Sequence, residues 1–120
     1  MTKTILIVED DEFNLRLFND VLTMEGYRTR TARCGAGAMR VMRNERPDLI
    51  LMDIELPGQS GFDVAEEMRR SPGLADVPVL AVTAHAMRGD DETMRARGCA
   101  GYIAKPISIR GFVETVRRYA

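Results

Sequence analysis

The chain holds one histidine and two cysteines. Cys34 and Cys99 sit in neither a CxxC pair nor a Cys/His cluster, which argues against zinc and redox centres. Two free thiols in a reducing cytoplasm are expected. An excess of one charge is also lacking. The net charge of -1 gives no drive toward nucleic acid or an anionic membrane. No apolar stretch approaches the roughly 20 residues of a membrane span. The first residues carry one Lys and then run into an apolar segment, which is not the pattern of a signal peptide. Lysine itself is scarce. Fifteen of the seventeen basic residues are Arg, and only Lys3 and Lys105 are Lys. A chain that uses Arg for surface charge, yet keeps Lys at 105 directly before a Pro, suggests a position that needs a compact ammonium.

What is present fits one soluble domain. The 120 residues allow a single domain spanning 1–120 with a core large enough to need no staples. Apolar residues make up 45% and charged residues 29%, the balance of an ordinary globular protein. No repeat, low-complexity segment or linker divides the chain.

Hydrophobic patterning predicts five strands alternating with five helices. Thr4–Val8, Leu49–Asp53 and Val79–Thr83 are apolar runs without polar alternation, which read as strands buried on both faces. Arg28–Ala32 alternates, as an edge strand does, and Gly101–Ala104 is a fifth strand. Between them, Leu17, Phe18, Val21 and Leu22 recur at helical spacing until Gly26. Gly35–Asn44 forms a second helix with Ala38, Val41 and Met42 inward, and about Phe62–Arg70 a third with Ala65 and Met68 inward. Ser60-Gly61-Phe62-Asp63 resembles a capping box. Asp90-Asp91-Glu92 opens a fourth helix whose apolar face is thin, chiefly Met87 and Met94, so it is expected to be loosely held. Ile109, Phe112, Val113 and Val116 mark the last helix. Alternation of this kind implies an α/β fold, a parallel sheet with helices on both faces. Ligands then bind beyond the C-terminal strand ends.

Those ends carry the chemistry. The first strand runs into Glu9-Asp10, the third ends in Asp53, the fourth in Thr83, and Lys105 follows the fifth. Three converging carboxylates repel one another unless a cation sits among them. Oxygen ligands without His or Cys favour a hard ion, Mg²⁺ first. A carboxylate beside Mg²⁺, with a hydroxyl and an ammonium opposite, can attack and hold a phosphoryl group. Asp53 is then the nucleophile of an aspartyl phosphate. Each group also has a plainer explanation: helix-starting acids at Glu9-Asp10, a β-forming Thr83, a surface Lys-Pro. Their shared position is what weighs against all of these holding at once.

The stretches ILIVEDDEFN, PDLILMDIELPGQSGFD, VPVLAVTA and GYIAKPIS together resemble a response-regulator receiver domain of two-component signalling, from end to end. EFNLRLFNDVL and AHAMRGDDE are similar to the family's stand-alone cell-division regulators. The resemblance implies a doubly wound sheet in strand order 2-1-3-4-5. It implies Asp53 as phosphoacceptor, Glu9, Asp10 and Asp53 as metal-binding residues with the Glu55 backbone carbonyl, and Thr83 and Lys105 on the phosphoryl oxygens. It implies a cis Lys105-Pro106 bond, and Tyr102 as the aromatic that turns inward on activation. Glu55 and His85, two residues past Asp53 and Thr83, are expected to flank the phosphoryl site and tune its lifetime; His85 as a plain loop residue is the alternative. A histidine kinase or histidine phosphotransferase is the expected donor. The fourth helix, fifth strand and last helix are expected to meet downstream signalling proteins. The expected molecule is a cytoplasmic monomer that catalyses only its own phosphorylation and dephosphorylation and contacts neither nucleic acid nor membrane. A small Asp-nucleophile phosphohydrolase is a competing reading, though its usual second Asp is replaced by Glu55. An inert receiver-like scaffold is another.

Overall fold

The computed structural model describes residues 2–84 and 90–120. Five strands, β1 (Thr4–Val8), β2 (Arg28–Ala32), β3 (Leu49–Asp53), β4 (Val79–Thr83) and β5 (Gly101–Ala104), alternate with five helices. The helices are α1 (Glu12–Met24), α2 (Gly35–Asn44), α3 (Gly61–Arg69), α4 (Asp90–Ala96) and α5 (Ile109–Tyr119). The strands form one sheet in the order β2-β1-β3-β4-β5. Every neighbouring pair is parallel, so the expected architecture and strand order are both observed.

Strand periodicity builds two cores. Successive side chains point to opposite faces. Leu6, Val8, Ile50 and Met52 therefore pack with Met42, Val64 and Met68 of α2 and α3. Ile5, Ile7, Leu49 and Leu51 pack with Phe18 of α1 and Phe112 of α5. The rings of Phe18 and Phe112 stack with centroids 5.0 Å apart. All five residues of β1, β3 and β4 are buried, which is why these strands lack polar alternation. At the edge, β2 turns Arg28 and Arg30 toward Glu45, at 3.4 and 2.9 Å.

The helices shift some expected contacts. In α1 the buried stripe is Leu15, Phe18 and Leu22; Leu17 lies on its shoulder, half-buried. In α2 Met39 is buried, while Val41 is only partly covered. In α3, Val64 joins Ala65 and Met68 in the core. Ile109 is 52% exposed, because it is the first residue of α5 and precedes the turn that reaches the sheet. Among the described residues of α4, Met94 is buried as expected. Met87 lies outside the described residues.

Candidate functional site

Asp53 is the last residue of β3 and is only 3% exposed. Its Oδ1 accepts the Glu55 N–H at 2.9 Å, which turns the other carboxylate oxygen, Oδ2, toward Lys105. The loop that follows closes on itself: the Gly61 N–H donates to the Ile54 carbonyl at 3.0 Å. Gly58, after Pro57, adopts φ +79°, a conformation that favours glycine. Gly61 is required for a different reason. A Cβ there would lie 2.4 Å from the Asp53 carbonyl oxygen, so only glycine lets α3 start this close to the strand end. The expected capping box is present. Ser60 Oγ accepts the Asp63 N–H at 3.3 Å, and Asp63 Oδ2 accepts the Ser60 N–H at 3.2 Å.

Glu9 follows β1 and is almost fully enclosed, with its Oε2 accepting the Asp11 N–H at 3.2 Å. Asp11 in turn caps α1, accepting the Asn14 N–H at 3.0 Å. One carboxylate oxygen each from Glu9, Asp10 and Asp53 lie within 4.8 Å of one another. Glu9 and Asp53 are buried and Asp10 is exposed. Lys105 Nζ stands 3.4 Å from Glu9 Oε1 and 3.8 Å from Asp53 Oδ2. Its backbone N–H donates to the Thr83 carbonyl at 2.8 Å, tying the ends of β4 and β5 together. Thr83 is itself 4% exposed. The Lys105-Pro106 bond is cis.

Burial pushes the Glu9 carboxyl up to about 7. A hydrogen bond with Asp53 and repulsion from its charge add to this; the Asp11 amide and the Lys105 ammonium oppose it. Glu9 Oε1 is buried and makes no hydrogen bond, only the 3.4 Å ion-pair contact with Lys105, an incomplete compensation for a buried carboxylate. With all three carboxylates ionised, one ammonium leaves two negative charges uncompensated, the charge of a single divalent cation. The open lone pair of Glu9, the all-oxygen donor set and the exposure of Asp10 fit a hard, partly hydrated cation.

Residues 5–117 match the response regulator receiver domain. The chain belongs to that family. It is 48% identical over 119 residues to the polar-differentiation response regulator DivK of Brucella ovis, and equally to that of Brucella abortus. In each case 99% of this chain and 97% of the relative are covered. Among solved structures, the receiver domain of a sensor histidine kinase from Pseudomonas aeruginosa superposes with a TM-score of 0.89 at 33% identity, covering 99% of this chain and 98% of that one. That protein holds a magnesium ion in its active-site cleft. The chemotaxis response regulator CheY4 of Vibrio cholerae gives a TM-score of 0.94 with full coverage of both chains, and at 23% identity it attests the fold.

The receiver fold thus brings Glu9, Asp10, Asp53 and Lys105 together, with Thr83 at the adjoining strand end. Tyr102 lies apart from them, on the outer side of β5. It is 36% exposed and lines a cavity of about 340 Å³ with Met94 and Arg95 of α4 and Thr115, Arg118 and Tyr119 of α5. His85 lies outside the described residues. Sequence reasoning missed two supports. Gly61 had a visible signal, a glycine inside the capping box; the Asp11 amide that orients Glu9 had none. The cysteines are free, Cys34 exposed and Cys99 buried, and burial pushes the Cys99 thiol up to about 11. Among the described residues, no helix is long and apolar enough to cross a membrane.

Proposed function

We propose that this receiver domain is a phosphorylation switch in which Asp53 accepts a phosphoryl group from a histidine kinase or histidine phosphotransferase. An Asp53 carboxylate oxygen attacks phosphorus, the phosphorus–nitrogen bond of the phosphohistidine breaks, and the imidazole leaves with the electron pair and takes up a proton. Glu9, Asp10 and Asp53, with the Glu55 backbone carbonyl, would hold Mg²⁺. When bound, that ion neutralises charge on the transferred oxygens. Lys105 screens the phosphoryl group from the opposite side, and Thr83 donates its hydroxyl to a phosphoryl oxygen. The observation that carries this reading is the convergence of three carboxylates and Lys105 at the C-terminal ends of three strands.

Phosphorylation then biases two existing arrangements of the fold. Tyr102 turns inward as Thr83 engages the phosphoryl group, and the α4–β5–α5 face presents a changed surface to downstream proteins. The similarity to DivK supports a place in cell-cycle control. The domain turns over no separate substrate; the reaction it assists is its own.

The decisive experiment uses radiolabelled acetyl phosphate with Mg²⁺, followed by a histidine kinase as donor. Label is expected on Asp53, not acquired when the metal is chelated beforehand, and absent in Asp53→Asn. Steady release of phosphate from a phosphomonoester would instead establish a hydrolase. Glu55 and His85 are proposed to set the life of the aspartyl phosphate by steering water. Replacing each by Ala should change the dephosphorylation rate severalfold, and an unchanged rate in both would remove them from that role.

A further inference from the structure

Arg97, just past α4, holds α4 against the start of α3. Its Nε donates to Glu66 Oε1 at 2.9 Å, and its Nη2 lies 3.9 Å from Asp63 Oδ1. The centre of its guanidinium sits 4.4 Å above the centroid of the Phe62 ring, a favourable stacking of a cation on an aromatic face. A second tie runs the other way: Arg69 Nη1 donates to the Ala96 carbonyl at 3.3 Å. The Arg69 stem lies across Gly98, whose φ is +101°, so close that a Cβ there would meet Arg69 Cδ at 2.8 Å. The clamp therefore grips the C-terminal end of a seven-residue helix.

Its other end is attached to the site. Phe62, Asp63 and Glu66 belong to the first turns of α3, and the residue before them, Gly61, abuts the Asp53 carbonyl. Met94 and Arg95 of α4 also line the cavity that holds Tyr102, and Met94 is buried in the same core as Met68 of α3. The helix is thus linked both to the Arg97 contacts and to a space of about 340 Å³ lined by Tyr102. Tyr102 is 36% exposed, so its departure removes one wall of an open groove, and α4, which packs on β5 beside it, is then free to shift toward the strand. Movement of α4 then strains the Arg97 contacts.

We propose that the Arg97 clamp is a brake. It holds α4 in the arrangement with Tyr102 outward and so raises the threshold for switching. This rests on the phosphorylation reading above. Arg97 touches neither phosphoryl group nor metal; it is a positioning residue that acts through α3 and α4. A contact made equally well in both arrangements would stabilise the fold and leave the switch unmoved.

The test titrates beryllofluoride, a phosphoryl mimic, into the full chain with saturating Mg²⁺, followed by amide chemical shifts in nuclear magnetic resonance. Thermal unfolding is measured alongside. Arg97→Met should lower the midpoint for beryllofluoride by about threefold to tenfold, the size of one such contact, while also lowering Tm. Arg97→Lys keeps the charge but loses the planar fork, and should fall between. Glu66→Gln, altered on the α3 side alone, should shift the midpoint the same way by less. A lowered Tm with an unchanged or raised midpoint in Arg97→Met and Glu66→Gln would overturn the brake and leave a structural tie. A wild-type protein that gives no response to beryllofluoride would overturn the phosphorylation reading and the brake with it, an outcome plainly distinct from the first.

Discussion

Glu9 and Asp53 follow or end β1 and β3, strands buried along their whole length, whereas Tyr102 and Lys105 belong to β5 and its end, where Ile103 is the one buried residue. The neighbouring helices differ in the same way. On the acceptor side, α1 and α5 bury Phe18, Leu22, Phe112 and Val116 against the sheet, and Arg117 ties α5 to Glu25 at 2.7 Å. On the other side, among the described residues of α4 (Asp90–Ala96), Met94 is the buried one, and Arg97 just beyond them pairs with Glu66. Glu9 and Asp53, which must stay in register with one another, are mounted on strands that cannot shift without opening a core. Tyr102, proposed to respond, is mounted on an edge strand where a shift disturbs little, while Thr83, its proposed trigger, ends the fully buried β4. The contrast is one of local stability, and it is open to direct attack.

The largest expected effect comes from cutting into the acceptor side. Leu51→Ala removes a side chain that is 1% exposed from the core beneath Asp53 and should cost about 3–5 kcal/mol. Met94→Ala, made in a flank that can collapse around the loss, should cost about 1–2 kcal/mol. Urea unfolding of the two variants measures both. Equal costs would abolish the distinction between the two sides. Backbone hydrogen exchange offers an independent view: amides of β1 and β3 should exchange only through global unfolding, and those of α4 through smaller openings.

The acceptor side was the more legible in sequence because its signals are redundant. Leu49-Ile50-Leu51-Met52 can only be buried on both faces, and a carboxylate ending such a run needs a partner, so Asp53 declared itself. Glu9-Asp10 and Lys105 were found by the same rule at other strand ends. The α4 side was read as loosely held from its thin apolar stripe, but Arg97 was not seen as its fastening. Its partners Phe62, Asp63 and Glu66 lie more than thirty positions away, and no periodicity connects them. Leu17 and Val41 were chosen for hydrophobicity at a plausible spacing, while the exact azimuth of a helix on its sheet decided in favour of Leu15 and Met39. The role of Asp11 in orienting Glu9 runs through a backbone amide, which composition does not reveal.

A second test addresses the cost of burying the acids. The carboxyl of Glu9 stands at about 7 in the fold against an ordinary value of 4.5. The folded protein therefore holds a proton that the unfolded chain has lost between those two pH values. Without metal, the Glu9 contribution is intact below about pH 4.5, declines as pH rises, and levels off above about 7. At about 1.4 kcal/mol per pH unit the decline is on the order of 3 kcal/mol. Glu9→Gln mimics the protonated form and should remove the dependence. Unfolding free energies of the two proteins in chelator, at pH 5 and pH 8, isolate the difference between them. Saturating Mg²⁺ should reverse its sign at pH 8, because the ion requires the ionised carboxylate, and Mg²⁺ uptake near pH 6 should release a proton. A difference that does not change with pH would mean that the buried side is better solvated than its geometry implies.

The smallest effect sharpens the comparison at the boundary between the two sides, where α3 joins the acceptor loop to the clamp. Ser60→Ala removes one arm of the capping box and leaves the Asp63 amide without its side-chain acceptor. The expected cost is about 1 kcal/mol. Asp63 also faces Arg97 at 3.9 Å, so its carboxylate, still able to accept the residue-60 amide, keeps its other contact. Ser60→Ala should therefore lower unfolding free energy without moving the beryllofluoride midpoint, whereas Arg97→Met should move both. Combining the two variants distinguishes the cap from the clamp. Additive losses in stability, with a midpoint equal to that of Arg97→Met alone, mean that the start of α3 is a rigid mount. A midpoint that shifts further in the double variant means that α3 gives way with α4, and the boundary between fixed and responsive parts then lies one helix closer to Asp53.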